Sequence, residues 1–287
     1  MKAIFKREYR SYYTGIIGYV FAAFVLLFAG IFSMIYNLNG NYANFEYVLP
    51  MMTFVFLVTI PILTMRVMAE ERRQKTDQLL YSLPLGMGKI VMGKYLAMLA
   101  VIALPCVIMC IYPLIFMAFG NVYLPSAYSA LFAFLMLGAA LAAIGMFIST
   151  ITENQDVAAG ICFVVMLLLY FMGSLASFVP ATAFSSLIAL AVLILVVAVI
   201  VRLLTKSTFA ALVVFVAGEV VLVLAYVLRP EWFEGLFLSF VQQLSPFVRF
   251  DTFIDGIFDI NALVYFISII VIFLFLSVQS MEKRRWS

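Results

Sequence analysis

Long apolar runs recur along the whole chain and are separated by short polar stretches. A bilayer core about 30 Å thick is crossed by about 20 mostly apolar helical residues. Eight runs meet that description, at 16–36, 47–66, 95–119, 128–150, 157–179, 183–201, 208–228 and 261–279. The pattern therefore predicts an all-α integral membrane protein with about eight transmembrane helices.

The positive charges between these runs predict a topology. If the N-terminus is cytosolic, the cytosolic segments, together with Arg66 directly before one of them, contain all but two of the seventeen Lys and Arg residues. These segments are 1–15, 67–94, 151–156, 202–207 and 280–287. Because cytosolic loops are enriched in Lys and Arg, we predict that both termini are cytosolic and that the chain lies in the inner or plasma membrane.

The runs 183–201 and 208–228 are separated by only six residues, which include Arg202 and Lys206. A single helix through both runs would be about twice as long as the bilayer is thick and would carry two cations near its middle. We therefore predict an inserted transmembrane hairpin over 181–228 with a tight cytosolic turn.

Segment 229–260 is rich in aromatic residues but is not predicted to span the membrane. Its longest stretch without a charge, 235–248, is too short to cross a bilayer. A charged residue at mid-membrane costs about 2.5–3.5 kcal/mol on the insertion scale. The charged residues here are Glu231, Glu234, Arg249, Asp251, Asp255 and Asp259. We predict interfacial helices on the outer surface, since aromatic side chains suit the headgroup layer.

The N-terminal segment 1–15 mixes cations with aromatic residues, which suits a short helix lying on the cytosolic leaflet. The alternative is that its charges only fix the topology. The following apolar run is longer than the hydrophobic region of a cleavable signal peptide, so we expect it to remain as the first span.

Composition supports one membrane domain over 1–287. Of the 287 residues, 67% are hydrophobic and 11% are charged, whereas a soluble domain keeps about a quarter of its residues charged. The chain has no histidine, which removes the commonest general base and metal ligand. Cys106 and Cys110 lie four residues apart, as a metal or redox pair could, but buried free thiols are the preferred interpretation.

The cytosolic segment 67–94 carries the largest charged block. Glu71 with Lys75 and Arg73 with Asp77 are opposite charges at helical spacing, and Thr76, Leu79, Leu80 and Leu83 form an apolar stripe. Pro84 ends this predicted helix, and a second short helix leads into the third span. Such a helix could transmit force from a soluble partner; the alternative is a solvated loop whose cations fix the topology.

Three motifs occur in order along the chain. The first is Glu70-Glu71-Arg72-Arg73-x-x-Thr76-x-x-Leu79-Leu80-x-Ser82-Leu83-Pro84, followed by Ile90-Val91-x-Gly93-Lys94. The second is Ile148-Ser149-x-Ile151-Thr152-Glu153-Asn154-Gln155. The third is Leu244-Ser245-Pro246-x-x-x-Phe250-x-x-Phe253-x-x-Gly256-Ile257-x-Asp259, followed by Glu282-x-Arg284-Arg285-Trp286. Together they resemble ABC-2 type permeases, the membrane subunits of ABC exporters, and most closely the gliding-motility and copper-maturation subgroup. In the first motif, Lys75 stands at a position where glycine is common in that family.

The resemblance implies a fold and a mechanism. It implies a six-helix core of the type V exporter kind, to which this chain adds the hairpin 181–228. It also implies a coupling helix that sits in a groove of an ATPase subunit. The residues that match this helix are Glu70, Glu71, Arg72, Arg73, Thr76, Leu79, Leu80, Leu83 and Pro84. The turn Thr152–Gln155 has the spacing of a capping box, and we expect a second contact there, at Thr152 and Glu153.

The chain lacks the G-x-x-x-x-G-K-[ST] phosphate loop, so it is not predicted to be the ATPase. ATP and magnesium are expected in a separate ATP-binding subunit, present in two copies. A second permease copy completes the expected assembly in the lipid bilayer. We predict no catalytic residue, metal or cofactor in this chain, and no nucleic-acid partner.

Glu219 is a lone acid in the middle of the run 208–228. An intramembrane acid is a functional candidate by default, as a proton site or substrate contact. The alternative, which we prefer, is a carboxyl group that packs the inserted hairpin against other helices.

Two other functions compete with ATP-driven export. A secondary carrier usually shows paired intramembrane polar groups and internal repeats, and neither is evident. A membrane enzyme acting on lipid needs a polar cluster at one membrane face, for which Asp251, Asp255 and Asp259 are the only candidates. The apolar interior favours a lipid, peptide or amphipathic drug as the transported substrate.

Overall fold

The computed structural model describes residues 1–73, 86–205 and 207–285, and the described chain is helical with no strand. The helices before residue 86 are α1 Lys2–Thr14, α2 Ile17–Ser33 with a π-helical extension Met34–Asn39, α3 Leu49–Thr64 after a 3-10 turn Phe45–Val48, and α4 Arg66–Arg73. The middle helices are α5 Met87–Met109, α6 Ile111–Met117, α7 Leu124–Ile151 and α8 Gln155–Ser177. The last are α9 Ala183–Thr205, α10 Thr208–Leu228, α11 Leu236–Leu244, α12 Pro246–Ile254 and α13 Ile260–Arg285, with a 3-10 turn at Pro230–Phe233.

Every predicted span corresponds to a helix. Among the described residues, seven helices are long and apolar enough to cross a membrane. The run predicted at 183–201 lies in α9 and contributes a shorter apolar stretch, Ala183–Val199. The chain is therefore an all-α, multi-pass membrane protein, and the eighth crossing stays a prediction.

The predicted second short helix before the third span is wrong. The backbone is extended at Gly86, and α5 runs without interruption from Met87 into the apolar run. Met87, Ile90, Val91 and Lys94 are all buried, and their three- and four-residue spacing places them on one helix face. This stretch is helical because it packs one face inside the protein.

The chain divides into two compact units, Met1–Leu168 with Arg249–Ser287, and Leu169–Val248. The second unit contains the predicted insertion 181–228. Its helices α9 and α10 pack against each other, so a hairpin forms here and not one long helix. A Cβ atom on Gly218 would lie 2.8 Å from Ile194 Cγ2, which shows how closely the two helices approach.

As predicted, segment 229–260 contains only short helices, α11 and α12 among them. None of them is long enough to span a bilayer. The position of this segment on the outer surface stays a prediction.

Helix α7 is the centre of the first unit, where it packs against α3, α5 and α13. Small residues allow this close packing, and Ala139, Ala140, Ala142 and Ala143 are almost completely buried. The Phe56 and Phe134 rings stack with their centroids 4.4 Å apart. By contrast, α10 leaves large side chains such as Val221 and Leu228 exposed, as expected of a helix surrounded by lipid.

Gly145 in α7 provides a test of this packing. A Cβ atom there would lie 2.5 Å from Thr64 Oγ1, and Thr64 is fully buried with its hydroxyl bonded to Ile60 O at 2.9 Å. We expect Gly145→Ala to lower the free energy of unfolding by about 1–3 kcal/mol, as overpacking typically does. Thermal unfolding of the purified protein in detergent measures the change.

Gly160→Ala in α8 is the matched control, since nothing lies within 4 Å of the added Cβ atom. This variant should be as stable as the parent protein or slightly more stable, because alanine favours the helix. Equal thermal unfolding midpoints for Gly145→Ala and Gly160→Ala would contradict the close contact between α3 and α7.

Candidate functional site

The site is built where α3 gives way to α4 at Met65. The first backbone N–H groups of a helix have no partner within it, and two such groups of α4 are bound by a buried serine of α7. Ser149 Oγ accepts hydrogen bonds from Met68 N at 3.2 Å and Ala69 N at 3.1 Å. It also donates to Met65 O at 3.3 Å. Helix α4, which we call the elbow, is therefore attached to α7 at its first turn.

The last carbonyl groups of α7 are bound by two arginines from distant parts of the chain. Arg72 Nη1 in the elbow donates to Thr152 O at 3.0 Å. Arg284 Nη2 in α13 donates to Ile151 O at 2.8 Å. Cations are favourable at the C-terminal end of a helix, where carbonyl groups are unpaired and the dipole is negative. The predicted contact residues Arg72 and Thr152 are thus brought together.

A buried ammonium group joins three segments at the same end of the first unit. Lys94 in α5 is only 2% exposed. Its Nζ lies 2.8 Å from Glu71 Oε2 and 2.7 Å from Val67 O, both in the elbow. It also lies 3.6 Å from Glu8 Oε1 in α1.

The same carboxylates also bind a guanidinium group from α1. Arg7 Nη2 donates to Glu71 Oε1 at 3.0 Å and to Glu8 Oε1 at 2.5 Å. We call Arg7, Glu8, Glu71 and Lys94 the ion cluster. Two cations and two carboxylates balance in charge, so the cluster can be partly buried without a net charge.

Helix α1 also packs directly on its neighbours. A Cβ atom on Gly93 would lie 3.1 Å from Ile4 Cγ2, so the glycine lets α1 approach α5. Tyr12 Oη donates to Leu63 O at 3.2 Å. Burial, with the nearby Glu8 carboxylate, raises the pKa of the Tyr12 phenol, so Tyr12 stays protonated as that donor at neutral pH.

The predicted coupling residues divide into three groups. Glu71 and Arg72 make the contacts above, and Glu70 pairs with Arg66 at 2.6 Å, both side chains being partly buried. Arg73 is exposed at the last position of the elbow. Thr76, Leu79, Leu80, Leu83 and Pro84 lie outside the described residues.

The predicted capping box at Thr152 is wrong. The Thr152 hydroxyl donates back to Ile148 O in α7 at 3.0 Å. Instead, Asn154 Oδ1 accepts from Asp156 N at 3.1 Å at the start of α8. Asn and Thr are both good N-cap residues, and here the hydroxyl of Thr152 is used by the preceding helix. Glu153 points outward with a side chain that is 82% exposed and lies 3.6 Å from Arg284 Nη1.

The other candidates lie elsewhere. Glu219 is half-buried in α10 of the second unit. Asp259 Oδ1 accepts from Asn261 N at 2.8 Å at the start of α13, so this acid caps a helix. Cys110 Sγ donates to Cys106 O at 3.3 Å, which agrees with free thiols used in packing. Within the described ranges, no three His, Cys, Asp or Glu side chains lie together as metal ligands would.

Sequence reasoning missed Arg7, Glu8, Lys94 and Ser149 as parts of this site. For Lys94 a signal existed, because it lies four and three residues after Ile90 and Val91 and thus on their apolar face. A lysine on a buried face needs a carboxylate or carbonyl partner. No comparable signal identifies Arg7 or Glu8, whose partners in the elbow and in α5 are more than sixty residues away in sequence.

Comparison with known proteins gives one finding. A family model described as ABC-2 family transporter protein matches residues 5–286. A search of curated proteins finds no match to the chain.

The ion cluster predicts a large effect of one substitution. We expect Lys94→Met to lower the free energy of unfolding by about 3–5 kcal/mol, because the carboxylates of Glu8 and Glu71 are then left with a single cation, Arg7, between them. We also expect faster tryptic cleavage within α1, which loses a contact to α5. Thermal unfolding in detergent and timed proteolysis measure the two effects.

Lys89→Met is the matched control, since Lys89 lies in the same helix but is exposed. It removes the same charge and should change neither stability nor cleavage appreciably. The importance of the ion cluster would be refuted by equal behaviour of the two variants.

Proposed function

The chain belongs to the ABC-2 family of transporter proteins and is therefore the membrane subunit of an ABC transporter, and from that premise we propose that it is the permease of an ATP-driven exporter. A separate ATP-binding subunit hydrolyses ATP and drives the permease through the elbow. The observation that carries the proposal is the attachment of the elbow to three other segments. Its backbone is bound by Ser149 and its Glu71 carboxylate by Lys94 and Arg7.

These contacts supply a route for force. A push on the elbow reaches α7 through Ser149 and Arg72, and it reaches α5 through Lys94. It reaches α1 through Arg7. The contacts of Ser149 and Lys94 are buried, and buried contacts transmit displacement because packed interiors are nearly incompressible.

The docking surface of the ATP-binding subunit is proposed at the exposed residues of the same end. Arg73 ends the elbow, and Glu153 is exposed in the α7–α8 turn. The hydrogen bond from Arg72 to Thr152 O brings these two segments together. The coupling segment through Thr76, Leu79, Leu80, Leu83 and Pro84 continues from Arg73 and completes the proposed surface.

Several further features of the assembly are proposed on the same premise. Two ATP-binding subunits act on a homodimer or heterodimer of permeases. Both termini are cytosolic, because the segments 1–15, 67–94 and 280–287 are rich in Lys and Arg, as cytosolic loops are. Membership of the gliding-motility and copper-maturation subgroup rests on the motif resemblance alone. The substrate proposed is a lipid, peptide or amphipathic drug.

The coupling role predicts that Arg73→Glu uncouples the two subunits. The reversed charge lies on the proposed docking surface, so we expect it to reduce co-purification with the ATP-binding subunit by about tenfold or more, as loss of an interfacial charge pair does. The measurement is tandem-affinity recovery after co-expression with ATP-binding subunits of the same genome, together with ATPase activity of the recovered complex.

Arg229→Glu provides the matched reversal, since Arg229 is also an exposed arginine and lies outside the predicted cytosolic segments. It should leave both readouts unchanged. Arg72→Glu is less informative, because it also removes the hydrogen bond to Thr152 O. Full recovery and full activity with Arg73→Glu would refute the proposed docking surface.

Glu219 allows a separate prediction about the inserted hairpin. If it only packs α10, Glu219→Gln keeps shape and hydrogen-bonding capacity, and ATP-dependent transport in vesicles should be unchanged. We expect this result. A loss of transport of tenfold or more, with unchanged expression and thermal stability, would instead assign Glu219 to the substrate or proton path.

A further inference from the structure

Helix α1 has a face that the elbow contacts do not use. Its inner face is occupied by Ile4 against Gly93 and by Tyr12, which bonds to Leu63 O. On another face, Lys2, Lys6 and Arg10 are all exposed. They lie four residues apart and therefore form one stripe along the helix. We call these three residues the basic stripe.

A row of aromatic rings runs beside the basic stripe. The Phe5 and Tyr9 centroids are 5.8 Å apart, and those of Tyr9 and Tyr13 are 4.9 Å apart. Tyr19, at the start of α2, continues the row at 5.3 Å from Tyr13. Aromatic rings and cations side by side on one helix are typical of a helix that lies in the headgroup layer.

The charges of the basic stripe have no carboxylate partner among the residues that the structure describes. Within the described part of the chain, no carboxylate lies within 4.0 Å of Lys2, Lys6 or Arg10, whereas Arg7 pairs with Glu8 and Glu71. Only two residues separate the end of α1 at Thr14 from the start of α2 at Ile17. Because α2 enters the bilayer, this short connection keeps α1 at the membrane surface on whichever side it lies.

We propose that the basic stripe binds the phosphate groups of anionic phospholipids. The neighbouring rings lie among the headgroups and place the three cations at the depth of the lipid phosphates. Bound lipid restrains α1, and the ion cluster links α1 to the elbow, since Arg7 and Glu8 contact Glu71 and Lys94. Anionic lipid thus stabilises the arrangement of the elbow without any contact to it.

The test uses the full chain purified in a neutral detergent, at fixed ionic strength. Thermal unfolding is followed while phosphatidylglycerol or phosphatidylcholine is titrated into the micelles. We expect phosphatidylglycerol to raise the midpoint and phosphatidylcholine to have little effect. The triple variant K2Q/K6Q/R10Q should lose the phosphatidylglycerol response. Each single variant should need about fivefold more phosphatidylglycerol for half of the response, because one cation near an anionic surface typically strengthens binding by about that factor.

The control triple R202Q/R229Q/K283Q removes the same charge from other exposed positions and should keep most of the response. The single variants decide the question if the stripe triple fails to fold. Equal responses of the two triples, or equal stabilisation by phosphatidylcholine or by inorganic phosphate, would overturn the proposal.

An acidic protein surface is the other possible occupant of the basic stripe. Loss of co-purification with the ATP-binding subunit in K2Q/K6Q/R10Q, with an intact phosphatidylglycerol response, would assign the stripe to that partner and overturn the lipid proposal. The lipid titration needs no ATP-binding subunit. Its failure is therefore distinguishable from a failure of the proposed function.

Discussion

The ammonium group of Lys94 imposes the strongest local constraint on this protein. A buried cation without partners is very unfavourable, so any arrangement of the first unit must bring acceptors to it. The acceptors come from the elbow, through Glu71 and Val67 O, and from α1, through Glu8. A buried ion pair is often no more stabilising than apolar side chains of similar size, and its clearest use is to fix one arrangement among several. Here it fixes how α1, α4 and α5 meet.

The C-terminal end of α7 is a second point where distant segments meet. There the groups that need partners are carbonyl oxygens, which cations bind, whereas at Lys94 the group that needs partners is itself the cation. Carbonyl oxygens there have no partner within the helix, and the guanidinium groups of Arg72 and Arg284 bind them. The elbow thus contributes a carboxylate to one cluster and a guanidinium to the other. Glu71 and Arg72 are adjacent in sequence, so the two attachments lie on different faces of one short helix. A helix held on two faces moves with its neighbours.

The sequence predicted the helices well and the contacts poorly, and the reason is physical. Bilayer thickness imposes a length on every span, so apolar runs located α2, α3, α7, α8 and α10 within a few residues, whereas α5 begins eight residues before its predicted run, at 87 and not at 95. The hairpin turn and the short helices of 229–260 followed from the placement of charges. The false short helix before α5 arose because Lys89 and Lys94 made residues 87–94 look like part of a polar loop. Hydropathy treats every lysine as solvated, whereas Lys94 is buried beside a carboxylate.

The site shows the same division between local and long-range information. The motif that contains Glu70 to Arg73 was recognisable because it is contiguous. The pairing of Arg7 and Ser149 with the elbow was not recognisable, since their partners in it lie 64 and 80 residues away in sequence and only the packed structure brings them together. From the resemblance, residues 70–73 all received the same predicted coupling role. The structure separates Glu71 and Arg72, which bind other parts of the first unit, from Arg73, which is exposed at the end of the elbow.

The junction between α3 and the elbow explains why the elbow can act on the membrane helices. Thr64 packs against Gly145 with no room for a Cβ atom, and one turn further along α7 Ser149 binds the backbone on the far side of the junction. Residues 145 and 149 lie on one face of α7, so that face holds the end of α3 and the start of α4 together. The break between α3 and α4 at Met65 cannot flex as an independent hinge, because Met65 O and the N–H groups of Met68 and Ala69 are bonded to Ser149 in a helix that is itself buried. A displacement of the elbow must therefore be shared by α3 and α7, the two helices at the centre of the first unit.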